Sequence, residues 1–243
     1  MAAPATEEQP ATPAGMEQDF KYRRFEKPRH HTRVRVIRRT LAARMEELVA
    51  SAELPAGKKV LDYGCGEKPY EELLRKKFKE YIGADIPGNP KAQLVVGPQG
   101  ELPLDAASVD CVISTQVLEH VDDPRVYLAE ARRVLRAGGN LILSTHGHWR
   151  YHAHPHDYWR WTVQGLQKEL ARAGFQVVRM YPILRLSSAA LQLWQDATSG
   201  SLPGPIRSLY IRFFQLWIWL IERRKPDEQM RDAAIYVILA RKV

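Results

Sequence analysis

Residues 58–66, KKVLDYGCG, decide the fold of this chain. Two apolar residues, Val60 and Leu61, run into Asp62, and two glycines follow within the next four residues. This order is typical of a buried parallel strand that ends in a glycine turn and continues into a helix. Glycine suits the turn because it adopts backbone conformations that other residues avoid, and because it leaves room for a ligand against the backbone. A G-x-G pattern alone occurs in many Rossmann-like folds, so the sequence downstream must decide.

The sequence after this turn repeats the pattern of a strand that ends in a polar residue. Residues 81–86, YIGADI, predict a short apolar strand with Asp85 near its end, roughly 20 residues after the turn. An acid at that distance is the usual partner of ribose hydroxyls in a nucleotide-type site. Residues 109–114, VDCVIS, predict a further strand of the same kind. The sequence therefore indicates an α/β fold with a nucleotide-type ligand.

Four ordered motifs extend this pattern over residues 58–146: VLDYGCG, GADI, LPLDAASVDCVISTQVLEHVDDP and EARRVLRAGGNLILST. Together they resemble the class I S-adenosylmethionine-dependent methyltransferases, in particular the type 11 methyltransferase-domain group. The resemblance implies a Rossmann-like, seven-stranded methyltransferase sheet that is parallel except for an antiparallel last strand, with helices on both faces. It also implies S-adenosyl-L-methionine as cofactor and methyl transfer as the reaction. Between strands six and seven, residues 184–234 are more than a hairpin needs, and their apolar pattern predicts a helical insertion.

The resemblance also assigns the cofactor site. Gly64 and Gly66 would let the backbone approach the methionine portion, Asp62 would lie near its ammonium, and Asp85 would accept both ribose hydroxyls. The full set of expected cofactor-binding residues is Asp62, Gly64, Cys65, Gly66, Asp85, Ile86, Gln99, Glu101 and Gln116. The alternatives are that Asp62 only caps the turn and that Asp85 is a surface acid at a strand end.

Two positions depart from the family pattern. Many members carry Gly-Asp after strand three, where the acid receives the adenine amino group, whereas here Pro98 follows Gly97. Gln99 or Glu101 would then take that contact.

The second departure concerns the E-x-x-E-H element with which some small-molecule O-methyltransferases bind a divalent metal. Gln116 replaces its first carboxylate, which leaves Glu119 and His120 and too few charged ligands for a hard cation. We therefore expect no metal, with Gln116 facing the cofactor and with Glu119 and His120 stabilising the loop.

The stretch 146–162, HGHWRYHAHPHDYWRWT, holds five of the chain's eight histidines and follows the predicted fifth strand. Its end resembles the P-x-D-Y-x-R-[WFY]-T element that shapes the acceptor pocket in many type 11 enzymes. A histidine suits deprotonation of a hydroxyl or amine acceptor, aromatic rings would form a pocket wall, and arginine would hold an anionic group. Zinc is not expected, because no cysteine joins these histidines. The predicted catalytic residues are His148, His154, His156 and Asp157, and the predicted substrate-binding residues are Trp149, Tyr158 and Arg160.

Each of these assignments has an alternative. Any one histidine could be a loop or packing residue, and Asp157 could only cap a turn. Thr162 is well placed as the N-cap of the next helix.

The positive charge of the chain is concentrated near its beginning. Residues 21–44 contain ten Lys and Arg residues and one acid, Glu26, so their formal charge is 10 − 1 = +9, against +8 for the whole chain. An anionic partner of this arm would be a membrane surface, a phosphate-bearing substrate or nucleic acid. The alternative is that these charges have no anionic partner and lie on a solvent-exposed helix face preceded by a flexible segment.

Composition divides the chain into five segments. Residues 1–19 lack the apolar run of a secretory signal, and the two cysteines, Cys65 and Cys111, fit a reducing cytosol. We therefore expect a cytoplasmic protein, with membrane association as an option. The predicted segments are a disordered leader (1–19), a basic arm with an N-terminal helix (20–57), the methyltransferase core (58–183), a helical insertion or cap (184–234) and a final core strand (235–243).

The apolar run 206–221 has three interpretations. It is too short to span a bilayer comfortably. It could be buried in the subunit core or a dimer seam, it could be a lid over an apolar substrate, or it could be an interfacial helix followed by the cations of 223–225.

Periodicity also predicts individual elements: a helix over about 32–53, a helix near 69–78 with Phe78 facing inward, a helix over about 124–136 ended by Gly138-Gly139, strand five over 140–145 and strand six over 175–180.

The leading functional hypothesis is methyl transfer to an oxygen or nitrogen of a small-molecule acceptor, including one linked to a glycan or a lipid. A nucleic-acid methyltransferase is the second hypothesis, although residues 114–120 lack the Asn/Asp-Pro-Pro-aromatic element of enzymes that methylate exocyclic base amines. A non-catalytic cofactor-binding scaffold is the third. A homodimer is compatible with the sequence.

Overall fold

The computed structural model describes residues 33–223 and 232–243, and the predicted leader and residues 20–32 of the basic arm lie outside these ranges. Seven strands and six helices make up the described chain. The strands are β1 (Gly57–Tyr63), β2 (Phe78–Asp85), β3 (Leu94–Val95), β4 (Val109–Thr115), β5 (Leu135–His146), β6 (Phe175–Arg185) and β7 (Ala233–Lys242). The helices are α1 (Arg35–Ala50), α2 (Glu71–Leu74), α3 (Pro124–Val134), α4 (Val163–Arg172), α5 (Leu186–Thr198) and α6 (Gly204–Glu222), with a 3₁₀ turn at Ser199–Ser201.

All seven strands form one sheet in the order β3-β2-β1-β4-β5-β7-β6. Strand β7 runs antiparallel to both of its neighbours, β5 and β6, and the pairs from β3 to β5 are parallel. The predicted Rossmann-like sheet with an antiparallel last strand is confirmed. Because the parallel strands all end at one edge, the polar residues that follow them meet there.

Two apolar layers cover the sheet. Helices α1, α2, α5 and α6 pack on one face, and α3 and α4 pack on the other. The inward positions predicted for the first helix are all buried: Val36, Ile37, Leu41, Met45, Leu48 and Val49.

Side-chain N-caps begin helices α3 and α4. The carboxylate of Asp123 accepts a hydrogen bond of 2.8 Å from the backbone N–H of Arg125 at the start of α3. The hydroxyl of Thr162 accepts one of 3.1 Å from Gly165 N–H at the start of α4, as the sequence predicted.

Some predicted boundaries are wrong. The helix near 69–78 shrinks to Glu71–Leu74, because Phe78 begins β2 and pairs with Gly57. A Cβ on Gly57 would lie 2.8 Å from the Phe78 ring, so the glycine makes room for this packing.

Strands five and six are also longer than predicted. Strand β5 begins at Leu135 instead of Asn140, since the predicted Gly138-Gly139 stop lies inside the strand, next to a register shift against β4. Strand β6 continues past Met180 to Arg185 because it pairs along the whole of β7.

Candidate active site

The candidate site lies at the edge where the parallel strands end. Asp62 and Asp85 lie at the ends of β1 and β2, Gln116 follows β4, and His146 is the last residue of β5. The strand order places these positions side by side along the sheet.

The two glycines of the first turn have different surroundings. Both have positive φ, +84° at Gly64 and +48° at Gly66, which favours glycine. A Cβ on Gly64 would lie 2.4 Å from the Val117 side chain, whereas a Cβ on Gly66 would meet nothing within 4 Å. Gly64 therefore permits close packing against the loop after β4, and Gly66 faces open space where a ligand can touch the backbone.

Asp62 is a buried carboxylate with one unsatisfied oxygen. Its Oδ2 accepts a hydrogen bond from the Tyr81 hydroxyl, and its buried Oδ1 has no partner. Burial raises the pKa of the Asp62 carboxyl to about 7, although the Tyr81 hydrogen bond lowers it. The free Oδ1 is the acceptor that an ammonium group needs, so the residue fits the methionine end of the expected cofactor.

Asp85 is fixed by three donors. Its Oδ2 accepts hydrogen bonds from Gly66 N–H at 2.9 Å and from the Asn89 amide at 2.6 Å, and its Oδ1 accepts one from Ile86 N–H at 2.8 Å. A carboxylate offers about four acceptor positions, so Oδ1 keeps one for a ribose hydroxyl, and displacement of the Asn89 amide frees a second. Asn89 lies in the loop after β2, and no sequence pattern predicts its contact with Asp85.

The segment expected near adenine is a compact turn. The Glu101 carboxylate folds back, so that its Oε2 accepts a hydrogen bond of 2.9 Å from Gln99 N–H. A Cβ on Gly97 would lie 2.4 Å from the same Oε2, so only glycine allows this approach. Both predicted adenine contacts, Gln99 and Glu101, are exposed here.

Gln116 has a left-handed backbone, with φ of +58°. Its N–H donates to Ser144 O at 2.9 Å, and its Nε2 donates to the buried Ser144 hydroxyl at 3.0 Å. A non-glycine residue in this conformation is uncommon, and the two hydrogen bonds to Ser144 hold Gln116 in it.

A buried carboxylate–histidine pair lies beyond Gln116. Glu119 has no exposed surface; its Oε1 lies 2.6 Å from His146 Nδ1, and its Oε2 accepts a hydrogen bond of 2.8 Å from the Thr145 hydroxyl. Burial alone would raise the pKa of Glu119, but the hydrogen bond and charge of His146 and the charge of His120 lower it below its ordinary value. The carboxylate is therefore ionised and accepts the proton of His146 Nδ1, which leaves Nε2 as the basic nitrogen of the ring.

Three more histidines surround this pair. The ring of His152 lies 4.6 Å from His146 and 5.0 Å from His120 between centroids, and the ring of His154 lies 6.0 Å from both His120 and His152. Burial lowers the pKa of His152 to about 4, so this ring is neutral at physiological pH. Its buried Nδ1 has no hydrogen-bond partner.

The same cluster contains ligand atoms suited to a metal. One atom each from Glu119, His120 and His152 lie within 4.8 Å of one another. Both carboxylate oxygens of Glu119, however, already accept hydrogen bonds from Thr145 and His146. A metal would have to share Glu119 with these two donors.

An ion pair within the loop that carries the histidines, between Arg160 and Asp157, holds its two ends together. The Arg160 guanidinium donates two hydrogen bonds of 2.6 Å to the two oxygens of Asp157, and Asp157 also accepts one of 2.7 Å from His152 N–H. Burial would raise the pKa of Asp157, but the Arg160 hydrogen bond holds it well below its usual range. Arg160 also donates to the carbonyls of Trp149 and Arg150, at 3.0 and 2.7 Å, and so joins both ends of the loop.

The structure places the other predicted acceptor residues around this loop. Trp149 stacks on His146 with 5.5 Å between ring centroids, and Tyr158 is half exposed and stacks on His156 at 5.3 Å. His148 lies apart, with its Nε2 3.0 Å from Asp232 Oδ1.

The sequence analysis predicts that Glu119 and His120 stabilise the loop, and it does not include His146 or His152 among the site residues. The position of His146 at the end of β5, where ligands bind in open α/β folds, is the sequence feature that indicates a role for it.

Comparison with known proteins identifies the family. A family model described as a methyltransferase domain matches residues 29–180. The chain belongs to the class I S-adenosylmethionine-dependent methyltransferases. A probable S-adenosylmethionine-dependent methyltransferase of Mycolicibacterium smegmatis is 37% identical to this methyltransferase over 99 residues, 37% of this chain and 38% of the relative. The malonyl-[acyl-carrier protein] O-methyltransferase of Hahella chejuensis is 34% identical over 182 residues, 69% of this chain and 59% of the relative.

Other relatives also match in part. A ubiquinone biosynthesis O-methyltransferase of Cereibacter sphaeroides is 35% identical over 109 residues, 39% of this chain and 44% of the relative. The matches span 38 to 59% of the length of these three curated relatives.

Solved structures share the fold. A methyltransferase bound to the Trm112 activator of Haloferax volcanii is 19% identical, with a TM-score of 0.54, covering 84% of this chain and 92% of that one. A geranyl diphosphate C-methyltransferase of Streptomyces coelicolor is 15% identical, with a TM-score of 0.53, covering 84% and 78%. S-adenosylmethionine is the cofactor of the family, and the unpartnered oxygen of Asp62, the fixed carboxylate of Asp85 and the open space at Gly66 fit it.

Proposed function

We propose that this methyltransferase transfers the methyl group of S-adenosylmethionine to an oxygen or nitrogen atom of a small-molecule acceptor in the cytoplasm, including acceptors linked to a glycan or a lipid. One observation supports this proposal most strongly. The buried, ionised carboxylate of Glu119 is hydrogen-bonded to His146 at the edge of the sheet where the acceptor must approach. The O-methyltransferase relatives support an oxygen acceptor.

The bound cofactor would supply a sulfonium methyl group, whose carbon is attacked by a well-placed nucleophile while the C–S bond breaks and S-adenosylhomocysteine leaves. The protein therefore contributes mainly positioning. Asp62 Oδ1 would accept a hydrogen bond from the ammonium group of the cofactor, and Asp85 would hold its ribose. The open space at Gly66 would let the cofactor lie close to the backbone.

An oxygen or nitrogen acceptor must lose a proton as it attacks, and His146 is the proposed base. Its Nε2 takes the proton, while the Glu119 carboxylate holds the ring in the correct tautomer and stabilises its protonated form. Glu119 is thus a positioning residue.

His152 and His154 line the approach to this base. The neutral His152 ring meets His146 edge-on at 4.6 Å, and the His154 ring lies 6.0 Å from His152 between centroids. In this proposal Asp157 and Arg160 act through the loop that they hold, Trp149 keeps the His146 ring in place, and Tyr158 and His156 form the outer wall of the acceptor pocket.

The test is the pH dependence of methyl transfer by Glu119→Gln. This change keeps the shape of the side chain but removes the charge that stabilises protonated His146, so we expect a lower rate and an acid limb displaced to lower pH. Cofactor affinity, measured by calorimetry, should stay unchanged. Glu46→Gln, on the exposed side of α1, is the matched control. An unchanged pH profile in Glu119→Gln would contradict the assignment.

A further inference from the structure

Helices α5 and α6 expose an unusual amount of apolar surface. They carry nine of the sixteen exposed large hydrophobic side chains among the described residues, so this surface is concentrated in one place. Single exposed hydrophobic residues are ordinary, but a contiguous patch marks an interaction site. We use the term apolar face for its central part, formed by Ile206, Leu209, Phe213, Leu216, Trp217 and Leu220.

The apolar face follows one side of α6. Five of its positions, Ile206, Leu209, Phe213, Leu216 and Leu220, are separated alternately by three and four residues, and Trp217 follows Phe213 by four; both are spacings of neighbours on a helix surface. Leu209 is 70% exposed. The opposite side of α6 is already used, because Ile211 and Ile218 are buried against the fold. The apolar face is therefore a second apolar surface that residues 33–223 and 232–243 do not cover.

The charges of these two helices are distributed unequally. Their acids, Asp196 and Glu222, have nearly buried side chains that pair with Arg150 at 3.2 Å and Arg185 at 3.5 Å. Two cations are exposed instead. Arg212 and Arg223 are eleven residues apart, or about three helical turns, so both lie along the same margin of the apolar face. The Arg223 guanidinium lies 4.7 Å above the Trp219 ring.

The basic arm joins the fold at the same helices. The carbonyl of Arg33 accepts hydrogen bonds from the side-chain amides of Gln192, Gln195 and Gln215, at 2.9, 3.0 and 2.9 Å. Gln215 also accepts one of 3.0 Å from Val36 N–H. All three amides are buried, so they fix the start of α1 to α5 and α6.

The segment that precedes this anchor is cationic. Residues 21–32 contain five Lys and Arg residues and one acid, a formal charge of 5 − 1 = +4. Fully extended, twelve residues reach about 40 Å, which exceeds the thickness of a helix, about 10 Å. The formal charge of this segment has the same sign as that of Arg212 and Arg223.

We propose that the apolar face docks on the surface of a lipid bilayer that contains anionic phospholipids. An in-plane helix buries aliphatic and aromatic side chains at the boundary of headgroups and acyl chains, and cations along its margin contact the headgroups. Tryptophan is favoured at this boundary, and the arginines can extend toward the phosphates. The proposal does not rest on the chemistry at His146.

The experiment is flotation of the full chain with vesicles of pure phosphatidylcholine and of phosphatidylcholine mixed with phosphatidylglycerol. The test variant is Leu209→Glu/Phe213→Glu. Its matched control is Val126→Glu/Val243→Glu, which places the same charges at exposed apolar residues outside α5 and α6. A second variant, Arg212→Gln/Arg223→Gln, tests the cationic margin alone. Circular dichroism and S-adenosylhomocysteine binding establish that each variant is folded.

We expect the wild type and the control to float with the anionic vesicles, and the test variant to lose at least about tenfold in partition. The Arg212→Gln/Arg223→Gln variant should lose binding to anionic vesicles and show less dependence on salt. Equal flotation of the wild type and the Leu209→Glu/Phe213→Glu variant would overturn the proposal. A wild-type dimer in light scattering that becomes a monomer in this variant would also overturn it, since the apolar face would then bind a second copy.

Discussion

Binding of the cofactor should release a proton from Asp62. The pKa of this buried carboxyl is about 7 in the cofactor-free protein, whereas its partnerless Oδ1 must be ionised to accept an ammonium. The proton released equals the protonated fraction of Asp62, which is about 0.9 at pH 6, about 0.5 at pH 7 and about 0.1 at pH 8. Affinity for S-adenosylhomocysteine should therefore rise by up to about tenfold per pH unit below pH 7 and level off above it.

Calorimetry in buffers of different ionisation enthalpy measures this release directly. The ligand's own α-amino group, which titrates near pH 8, contributes equally to every variant, so a matched variant isolates Asp62. Tyr81→Phe removes the hydrogen bond that lowers the pKa of Asp62, and we expect the release curve to move to higher pH. Release that does not vary between pH 6 and 8, or that is the same in Tyr81→Phe, would refute the role of Asp62.

Three further predictions follow from local geometry. Gly64→Ala should destabilise the fold most in thermal melts, because its Cβ would meet Val117 at 2.4 Å in addition to the strain of its positive φ. Gly66→Ala should destabilise it less, by the backbone strain alone, about 1–2 kcal/mol, but should bind S-adenosylhomocysteine more weakly; the reverse order would contradict the assignment of the two glycines. Thr162→Ala should lower the free energy of unfolding by about 1 kcal/mol, because α4 loses its N-cap. Urea unfolding measures this change, and an unchanged midpoint would show that the cap does not contribute to stability. Removal of divalent ions with a chelator should leave the rate of methyl transfer unchanged, since Glu119 already accepts hydrogen bonds from Thr145 and His146. Activity that is lost and then restored by one metal would show that Glu119, His120 and His152 form a metal site.

The local sequence was sufficient to predict the strands of the first half of the sheet and the polar residues at their ends. Asp62 and Asp85 each stand at the end of an apolar run next to a glycine turn, and this order determines where a parallel strand presents its polar end. The antiparallel last strand was implied by the family resemblance and is also confirmed.

Contacts across the sheet could not be read from the sequence. Glu119 and His146 are 27 residues apart and meet only through the pairing of β4 with β5. Arg33 and Gln215 are 182 residues apart, and nothing in either segment indicates the other. The shortening of the helix before β2 has the same cause, because the strand position of Phe78 is set by Gly57, which lies on another strand.

Within the described residues, no helix is long and apolar enough to cross a membrane.

The central claim is that a Glu119–His146 pair activates an acceptor beside bound S-adenosylmethionine. The most direct measurement follows transfer of a labelled methyl group from S-adenosylmethionine to a set of hydroxyl and amine acceptors, with wild type, His146→Asn and His154→Asn compared at equal cofactor saturation. We predict transfer by the wild type, a loss of at least about a hundredfold in His146→Asn, and a smaller loss in His154→Asn. Full transfer by His146→Asn, with the loss confined to His154→Asn, would contradict the account.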